Sequence, residues 1–449
     1  MAAASGSRHL LRVLGTAFGV AAIIGGTIGQ GIMRTPGIVA QEVPRADLIL
    51  LLWLAGGALA WIDAMSSMEL AASVRLSGGP YIFARRAFGR FIGLAVGVTD
   101  WLGNVAAIAY IAVVFAEYLH RLGIGTALPI GVVAPMLPLA TGIIHWFGTR
   151  VGGASQEVGS AVKALIYCGL IVLLLAVPHG PAPDAAAASP VAPIGWMAII
   201  IAMRAIVTTY TGWNAAIYYS EEMRDPRKAI VSATRTGILL VTAVYVLMNA
   251  ALLRTLSPAE MAGSTLVAAD AAERAFGGSS GAADLLVTIV SLVSVATIAN
   301  SMLMQFPRVL YAIARDEDAS ALSSVAENGT PRLALVLTAA VAALLATVGV
   351  YDLLIAFSAS LLTAMGLSVN VAAIVLRWRE PELERPYRMP LFPLPAFAAL
   401  ALNGLLLAGF IIEDTRTSAA AFGLLLLLTL GLHLHRRRAV ARPAATDAP

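Results

Sequence analysis

Two short stretches carry chemistry in backbone atoms rather than side chains. Residues 22–37 read AIIGGTIGQGIMRTPG and residues 208–214 read TTYTGWN. The first places five glycines in an apolar run, although glycine costs about 1 kcal/mol relative to alanine inside a helix. Threonine, glycine and asparagine make the second a weak helix as well. A helix interrupted in this way exposes amide N–H groups and carbonyls. The N-terminus of the half-helix that follows attracts an anion, and the freed carbonyls accept from a cation. One break can therefore hold a carboxylate, and two facing breaks a zwitterion. The competing reading is a packing seam, because Gly25 and Gly29 form a GxxxG pair.

Several ionisable side chains lie inside or at the ends of apolar runs: Arg34, Asp63, Glu69, Asp100, Lys163 and Arg204. Charge there is costly and points to function. Lys163 lies six residues after Glu157, about 9 Å along a helix, so it is either buried or snorkels to the inner surface. Arg34 has the same choice at the outer surface. Asp100 and Asn104 share one helix face, with Asp100 a proton site or the partner of a basic residue. Arg204, one turn before Thr208, faces an acidic substrate or an acidic side chain. Asn300 caps a pocket or bonds a neighbouring helix. Glu221 and Glu222, followed by Arg224, Asp225, Arg227 and Lys228, are an inner-face ion network or a solvated charge run.

Enzyme chemistry finds no support. HExxH and Walker A motifs do not occur, and Cys168 is the one cysteine. GTIGQG lies in an apolar run rather than after a strand, which argues against a nucleotide loop. No metal or cofactor is expected.

The elements that position these segments must span a bilayer. The 449 residues are 59% hydrophobic and 12% charged, with a mean hydropathy of +0.82. A soluble domain carries about 25% charged residues. Spans of membrane length fall at 13–39, 47–74, 90–119, 128–147, 154–177, 194–220, 229–253, 282–312, 332–350, 353–376, 393–412 and 417–434. With the N-terminus inside, twenty-two Lys and Arg lie on the inner side and five outside. That asymmetry fits the positive-inside rule with twelve spans and both termini cytoplasmic. It also accounts for the pI near 9.3 without nucleic acid. No cleavable signal peptide is evident, because the first apolar run is too long and lacks a small-residue cleavage site. Ser257, Pro258 and Glu260 form a capping-box pattern for a short outer helix, and a second helix is expected from Thr265 to Phe276, ending at Gly277. This structured loop could cover a vestibule.

The two weak segments fall in spans 1 and 6, matching places in two five-helix repeats. Paired interrupted helices in corresponding halves point to a transporter site at the bilayer midplane. The expected organisation is a tail (1–12), spans 1–5 (13–178), spans 6–10 (179–376), two peripheral spans (377–435) and a basic tail (436–449).

Five segments resemble the amino acid–polyamine–organocation superfamily, closest in pattern to its L-type amino acid transporter branch. They are IIGGTIGQGIMRTP, SGGPY at 77–81, GWNAAIYYSEEMRDPRKAI at 212–230, PRVLYAIARD at 307–316 and RWREPELERPYRMPLFP at 377–393. The resemblance implies a LeuT-like fold: all-α, twelve spans, a 5+5 inverted repeat, helices 1 and 6 broken and helices 11 and 12 peripheral. It implies that backbone amides of Gly29, Gln30 and Gly31 hold a substrate carboxylate. Carbonyls of Thr27 and Ile28, with Thr208, Thr209 and Thr211, are the candidates for its ammonium. Thr208 stands where the branch usually has an aromatic gate, and Tyr210 could substitute. Gln30 replaces a usual serine. Asn104 becomes the best side-chain contact to substrate, and Glu69 a structural acid. Lys163 resembles the helix-5 lysine of sodium-independent members, tying helices 1, 5 and 8 and leaving exchange or proton coupling. The implied function is an amino acid permease of the cytoplasmic membrane, working by alternating access. Small neutral amino acids are favoured because Thr208, Ala106 and Ala107 are small. A polyamine carrier using Asp100 and a non-transporting sensor are the alternatives, although tails of this length leave no room for a signalling domain. Oligomeric state is left open.

Overall fold

The computed structural model describes residues 10–29, 31–176, 194–264, 266–277, 280–317 and 321–441. The first predicted span is two helices, α1 (Thr16–Thr27) and α2 (Gly31–Glu42), bent by 51°. There follow α3 (Ala46–Ser73), α4 (Pro80–Phe88), α5 (Arg90–Arg121), α6 (Ile130–Val133), α7 (Met136–Trp146) and α8 (Thr149–Ala176). The sixth span is α9 (Trp196–Thr209) and a 3-10 helix (Trp213–Tyr219). Then come α10 (Pro226–Thr255), α11 (Pro258–Ala262), α12 (Val267–Ala275), α13 (Ser280–Asp316), α14 (Arg332–Ala346), α15 (Tyr351–Arg379), α16 (Leu394–Glu413) and α17 (Thr415–Ala441).

Each of the twelve predicted spans coincides with helical structure. Among the described residues, eight helices are long and apolar enough to cross a membrane, and α1 with α2 makes a broken ninth. The predicted spans 4, 6 and 9 are shorter or interrupted, in α6–α7, α9 with the 3-10 helix, and α14. No β-strand occurs among the described residues. The protein is an all-α polytopic membrane protein.

Part of the packing matches a two-repeat pattern. Helices α3 and α10 pack together, as do α5 and α13, and α7 and α14. Several other pairs exchange into one another when spans 1–5 are swapped with 6–10. Thus α5–α15 corresponds to α13–α8, α5–α14 to α13–α7, and α3–α15 to α10–α8. In its most apolar stretch α5 is 78% buried, against 22% for α16 and for α17, so α5 is central and the last two helices are peripheral.

One helix lies outside the sequence-based expectation. α4 starts on Pro80 after Gly79, whose φ of +51° suits glycine, and stops at Gly89 with φ +86°. It is amphipathic and far too short for a span, so hydropathy over membrane lengths does not mark it. The loop before α13 begins as its capping-box pattern predicts. Ser257 Oγ accepts from Glu260 N, and Ser257 N donates to Glu260 Oε2 at 2.7 Å. The second loop helix is α12, narrower than expected, and Thr265 lies outside the described residues.

Candidate functional site at two helix breaks

Helix α1 ends because Ile28 turns extended (φ −70°, ψ 112°), and α2 restarts at Gly31. Gln30 lies outside the described residues. The sixth span breaks after Thr209, where Gly212 adopts φ +110°, a conformation open to glycine and strained for other residues. The two breaks touch through bare backbone: a Cβ on Gly212 would lie 2.6 Å from Gly26 O. A Cβ on Gly31 would lie 2.9 Å from Thr209 Cγ2, and one on Gly29 2.7 Å from Ile298 Cδ1. Close approach therefore holds Gly212 and Gly31 to glycine, whereas at Gly29 the end of the Ile298 side chain could give way. Thr35 Oγ1 and Thr209 Oγ1 lie 3.0 Å apart and add a side-chain tie.

The freed carbonyls are met by donors from neighbouring helices. Lys163 Nζ on α8 donates to Gly25 O at 2.8 Å and Ile28 O at 2.6 Å. Its side chain is buried, with 1% exposure, so it does not snorkel. Helix α13 joins the same point, because Ser294 Oγ donates to Ile28 O at 3.2 Å. Tyr167, one turn beyond Lys163, donates to Gly29 O at 3.0 Å. Tyr245 on α10 lies 3.0 Å from both Thr27 O and Thr209 O, one carbonyl from each break.

Four expectations change or narrow. Ile28 O has both lone pairs occupied, by Lys163 and Ser294, so it is not available to a substrate ammonium. Tyr210, the alternative aromatic gate, is engaged: its hydroxyl donates to Trp53 O at 2.9 Å and its ring meets Tyr245 edge-on, 4.9 Å between centroids. Thr208 is exposed and its hydroxyl returns to Arg204 O, while the Thr211 hydroxyl donates to Thr208 O. Asn104 donates through Nδ2 to Asp100 O and Asp100 Oδ1, both at 2.8 Å, so its amide donors stay within its own helix. Asp100 is fully buried and also accepts from Tyr218 OH at 2.9 Å. That bond joins α5 to the 3-10 helix. Arg204 pairs with Glu413, and Asn300 bonds α8 through Ser155 and Gln156. Tyr167, Tyr245 and Ser294 were missed because apolar spans hide single hydroxyls. A buried tyrosine that must place its O–H is the signal that could have found them.

Comparison with known proteins identifies the family. A family profile described as amino acid permease matches residues 14–432. The chain belongs to the amino acid permease family. It is similar to the serine/threonine exchanger SteT of Bacillus subtilis, 28% identical over 90% of this chain and 92% of that one. It is likewise similar to the b(0,+)-type amino acid transporter 1 of Mus musculus, 28% identical over 90% and 84%. The Asc-type amino acid transporter 1 of Homo sapiens is 26% identical over 91% and 78%. This protein is an amino acid permease and not an enzyme. Among the described residues no cluster of His, Cys, Asp and Glu could hold a metal.

The face of the permease next to the start of α1 is bolted by charge. Glu222 is fully buried and pairs with Arg308 on α13. It also accepts from Thr149 Oγ1 at the start of α8. Its backbone and that of Arg224 bond Leu14, ahead of α1. Glu221 pairs with Arg315 at 2.9 Å. On α4, Arg85 pairs with Asp316, and Tyr81 donates to the same carboxylate at 3.0 Å. Burial pushes the Tyr81 hydroxyl up to about 12, so it remains a donor. Arg90 pairs with Glu317 at 2.8 Å. Glu69 is clamped by Arg377, by Arg385 and by the Met389 N–H, which ties α3 to the segment after α15. The acidic run at 221–222 is thus a network rather than a solvated face. In the loop between α10 and α13, hydrogen bonds from Arg274 and Ser257 pull the Glu260 carboxyl down to about 2.

Proposed function

We propose that the permease binds the α-amino and α-carboxyl groups of an amino acid at the paired breaks and carries it by alternating access across the cytoplasmic membrane. The observation that supports this most is Tyr245, one hydroxyl shared between Thr27 O and Thr209 O, which couples the two half-helix ends that would hold the substrate. The amides of Gly29, Gln30 and Gly31 precede and open the α2 half-helix and suit a carboxylate. Among side-chain donors of the described residues, the Thr27 and Thr209 carbonyls meet only the shared Tyr245 proton, and these are the ammonium acceptors. Ile28 drops out of that set. The five-helix repeats 13–178 and 179–376 rock around this point, with 377–435 peripheral and both termini in the cytoplasm.

Lys163 favours sodium-independent transport. Its ammonium already meets the carbonyls that a metal cation would use. The serine/threonine exchanger among the relatives, with buried Ala106 and Ala107, favours exchange of small neutral amino acids. The test is uptake into liposomes holding the purified protein, with labelled amino acids and polyamines, with and without internal substrate and a pH gradient. Saturable amino acid uptake that requires internal substrate is expected. Polyamine uptake alone would overturn the reading. Dependence on the gradient instead of internal substrate would replace exchange with proton symport.

A further inference from the structure

One side of α10 carries a charge pattern that neither the breaks nor the ion pairs of the permease use. Lys228, Ser232, Arg235, Leu239 and Leu247 are all exposed, and their helical spacing puts them on one side of the helix. That side changes character part-way. Two cations and a hydroxyl occupy its first turns, and apolar side chains follow, with Leu239 60% and Leu247 50% exposed. Depth follows from length. Arg235 and Arg254 stand nineteen residues apart with no charged residue between them. That is about 28 Å along a helix, and a hydrocarbon core is about 30 Å thick. Arg235 therefore lies at the level of the lipid phosphates, on the side of the membrane where α10 begins.

A packing contact keeps Arg235 at that level. Its guanidinium lies over the ring of Tyr387, with Cζ 5.0 Å from the centroid. Tyr387 is buried and belongs to one core cluster with Met68 and Val231. Stacking uses the face of the guanidinium and leaves its N–H edge free, whereas a snorkelling side chain would extend away to water. Among the described residues neither Arg235 nor Lys228 has a carboxylate partner. Helix α10 contains no Asp or Glu. Glu384, in the same loop as Tyr387, is already held by Arg227 in two bonds of 2.6 Å.

We propose that this side of α10 binds an anionic phospholipid. Arg235 and Ser232 hold the phosphate, Lys228 adds positive charge at the wet end, and the acyl chains lie along Leu239 and Leu247. A phosphodiester only accepts hydrogen bonds, which matches a guanidinium edge, a hydroxyl and an ammonium. The lipid is anionic rather than zwitterionic because two cations meet it and α10 offers no carboxylate to a headgroup ammonium.

The test uses purified, detergent-solubilised permease with phosphatidylglycerol, phosphatidylcholine or glycerol 3-phosphate, read by native mass spectrometry and by thermal unfolding. The wild type is expected to retain phosphatidylglycerol about tenfold more readily than phosphatidylcholine, and to be stabilised by it. Lys228→Gln with Arg235→Gln is expected to abolish the preference. Arg12→Gln with Arg150→Gln removes the same charge from exposed positions elsewhere and is expected to keep it. Lys228→Gln alone reads the same site should the double variant not fold, with an expected fall of about threefold. No preference in the wild type, or a preference that survives the loss of Lys228 and Arg235, overturns the site. An equal loss in the Arg12 and Arg150 pair would replace it with general charge attraction. Equal stabilisation by glycerol 3-phosphate would show a phosphate site that needs no lipid, and overturns the proposal as well.

Discussion

Tyr245→Phe removes one oxygen atom and leaves the ring that packs on Tyr210 and Trp53. The hydroxyl lies 3.0 Å from Thr27 O and 3.0 Å from Thr209 O, but it carries one proton. The two contacts are a shared, three-centre bond, and counting two full bonds would overstate the effect. One such bond is worth about 1 kcal/mol net, and a buried carbonyl left without its partner costs about 1–3 kcal/mol. A loss of about 2 kcal/mol follows, a factor of about thirty in an equilibrium. The loss falls on the juxtaposition of the two breaks. Uptake per unit of folded protein should therefore drop by about that factor, while the helical content and the packed ring are kept. The assay is initial uptake rate against substrate concentration in liposomes, alongside thermal unfolding of the same preparation. Uptake within about threefold of wild type, in protein of unchanged stability, would refute the view that this hydroxyl couples the breaks.

Four further outcomes are expected. Gly31→Val sets a branched side chain against Thr209, where even a Cβ would lie 2.9 Å away, and should abolish uptake while the protein still reaches the membrane; normal uptake would remove Gly31 from the site. Lys163→Met strips the donor from Gly25 O and Ile28 O and should abolish or sharply slow uptake, and wild-type transport should need no sodium; a strong sodium requirement of the wild type contradicts the reading. Glu69→Gln leaves Arg377 and Arg385 facing a neutral group, and breaking a buried pair costs about 3–5 kcal/mol, so a large fall in unfolding temperature is expected, and an unchanged one would count against the clamp. Glu260 has its carboxyl lowered from the ordinary 4.5 to about 2, so its stabilising effect is full above pH 4.5 and disappears as pH falls towards 2. Amide exchange of residues 257–277 should stay protected down to about pH 4.5, and protection lost already near neutral pH would show that Glu260 does not control it.

The helical elements were legible because a bilayer demands long apolar runs and leaves little else possible. The breaks were legible because glycine density inside such a run has few other causes. Side-chain pairing was harder. Lys163 stands 138 residues beyond Gly25 and 135 beyond Ile28, and nothing in that chain distance reveals that its ammonium ends on their carbonyls. Tyr210 was a reasonable gate by position, yet helix phase turns it onto Trp53. Asn104 shares a face with Asp100, as spacing implied, and that same proximity takes its donors away from the substrate. Glu69 is 308 residues from Arg377 and 316 from Arg385, and only the packed helices bring them together.

A broken helix in a membrane exposes more hydrogen-bonding valence than one substrate can use. The permease resolves this by assigning part of that valence permanently. Lys163, Ser294 and Tyr167 take the carbonyls of Gly25, Ile28 and Gly29, all on the side of α1 that faces α8 and α13. What stays available is on the other side: the amides that open α2, and the carbonyls of Thr27 and Thr209 that share one tyrosine proton. An amino acid brings three ammonium donors and two carboxylate oxygens, which match that remainder in kind. Fixed donors on one flank and substrate on the other would make the break rigid where it meets the scaffold and adaptable where it meets cargo. The same division explains why a lysine, rather than a dissociable cation, sits behind the break: its ammonium cannot leave between transport cycles, so α1 stays tied to α8 whether or not substrate is bound.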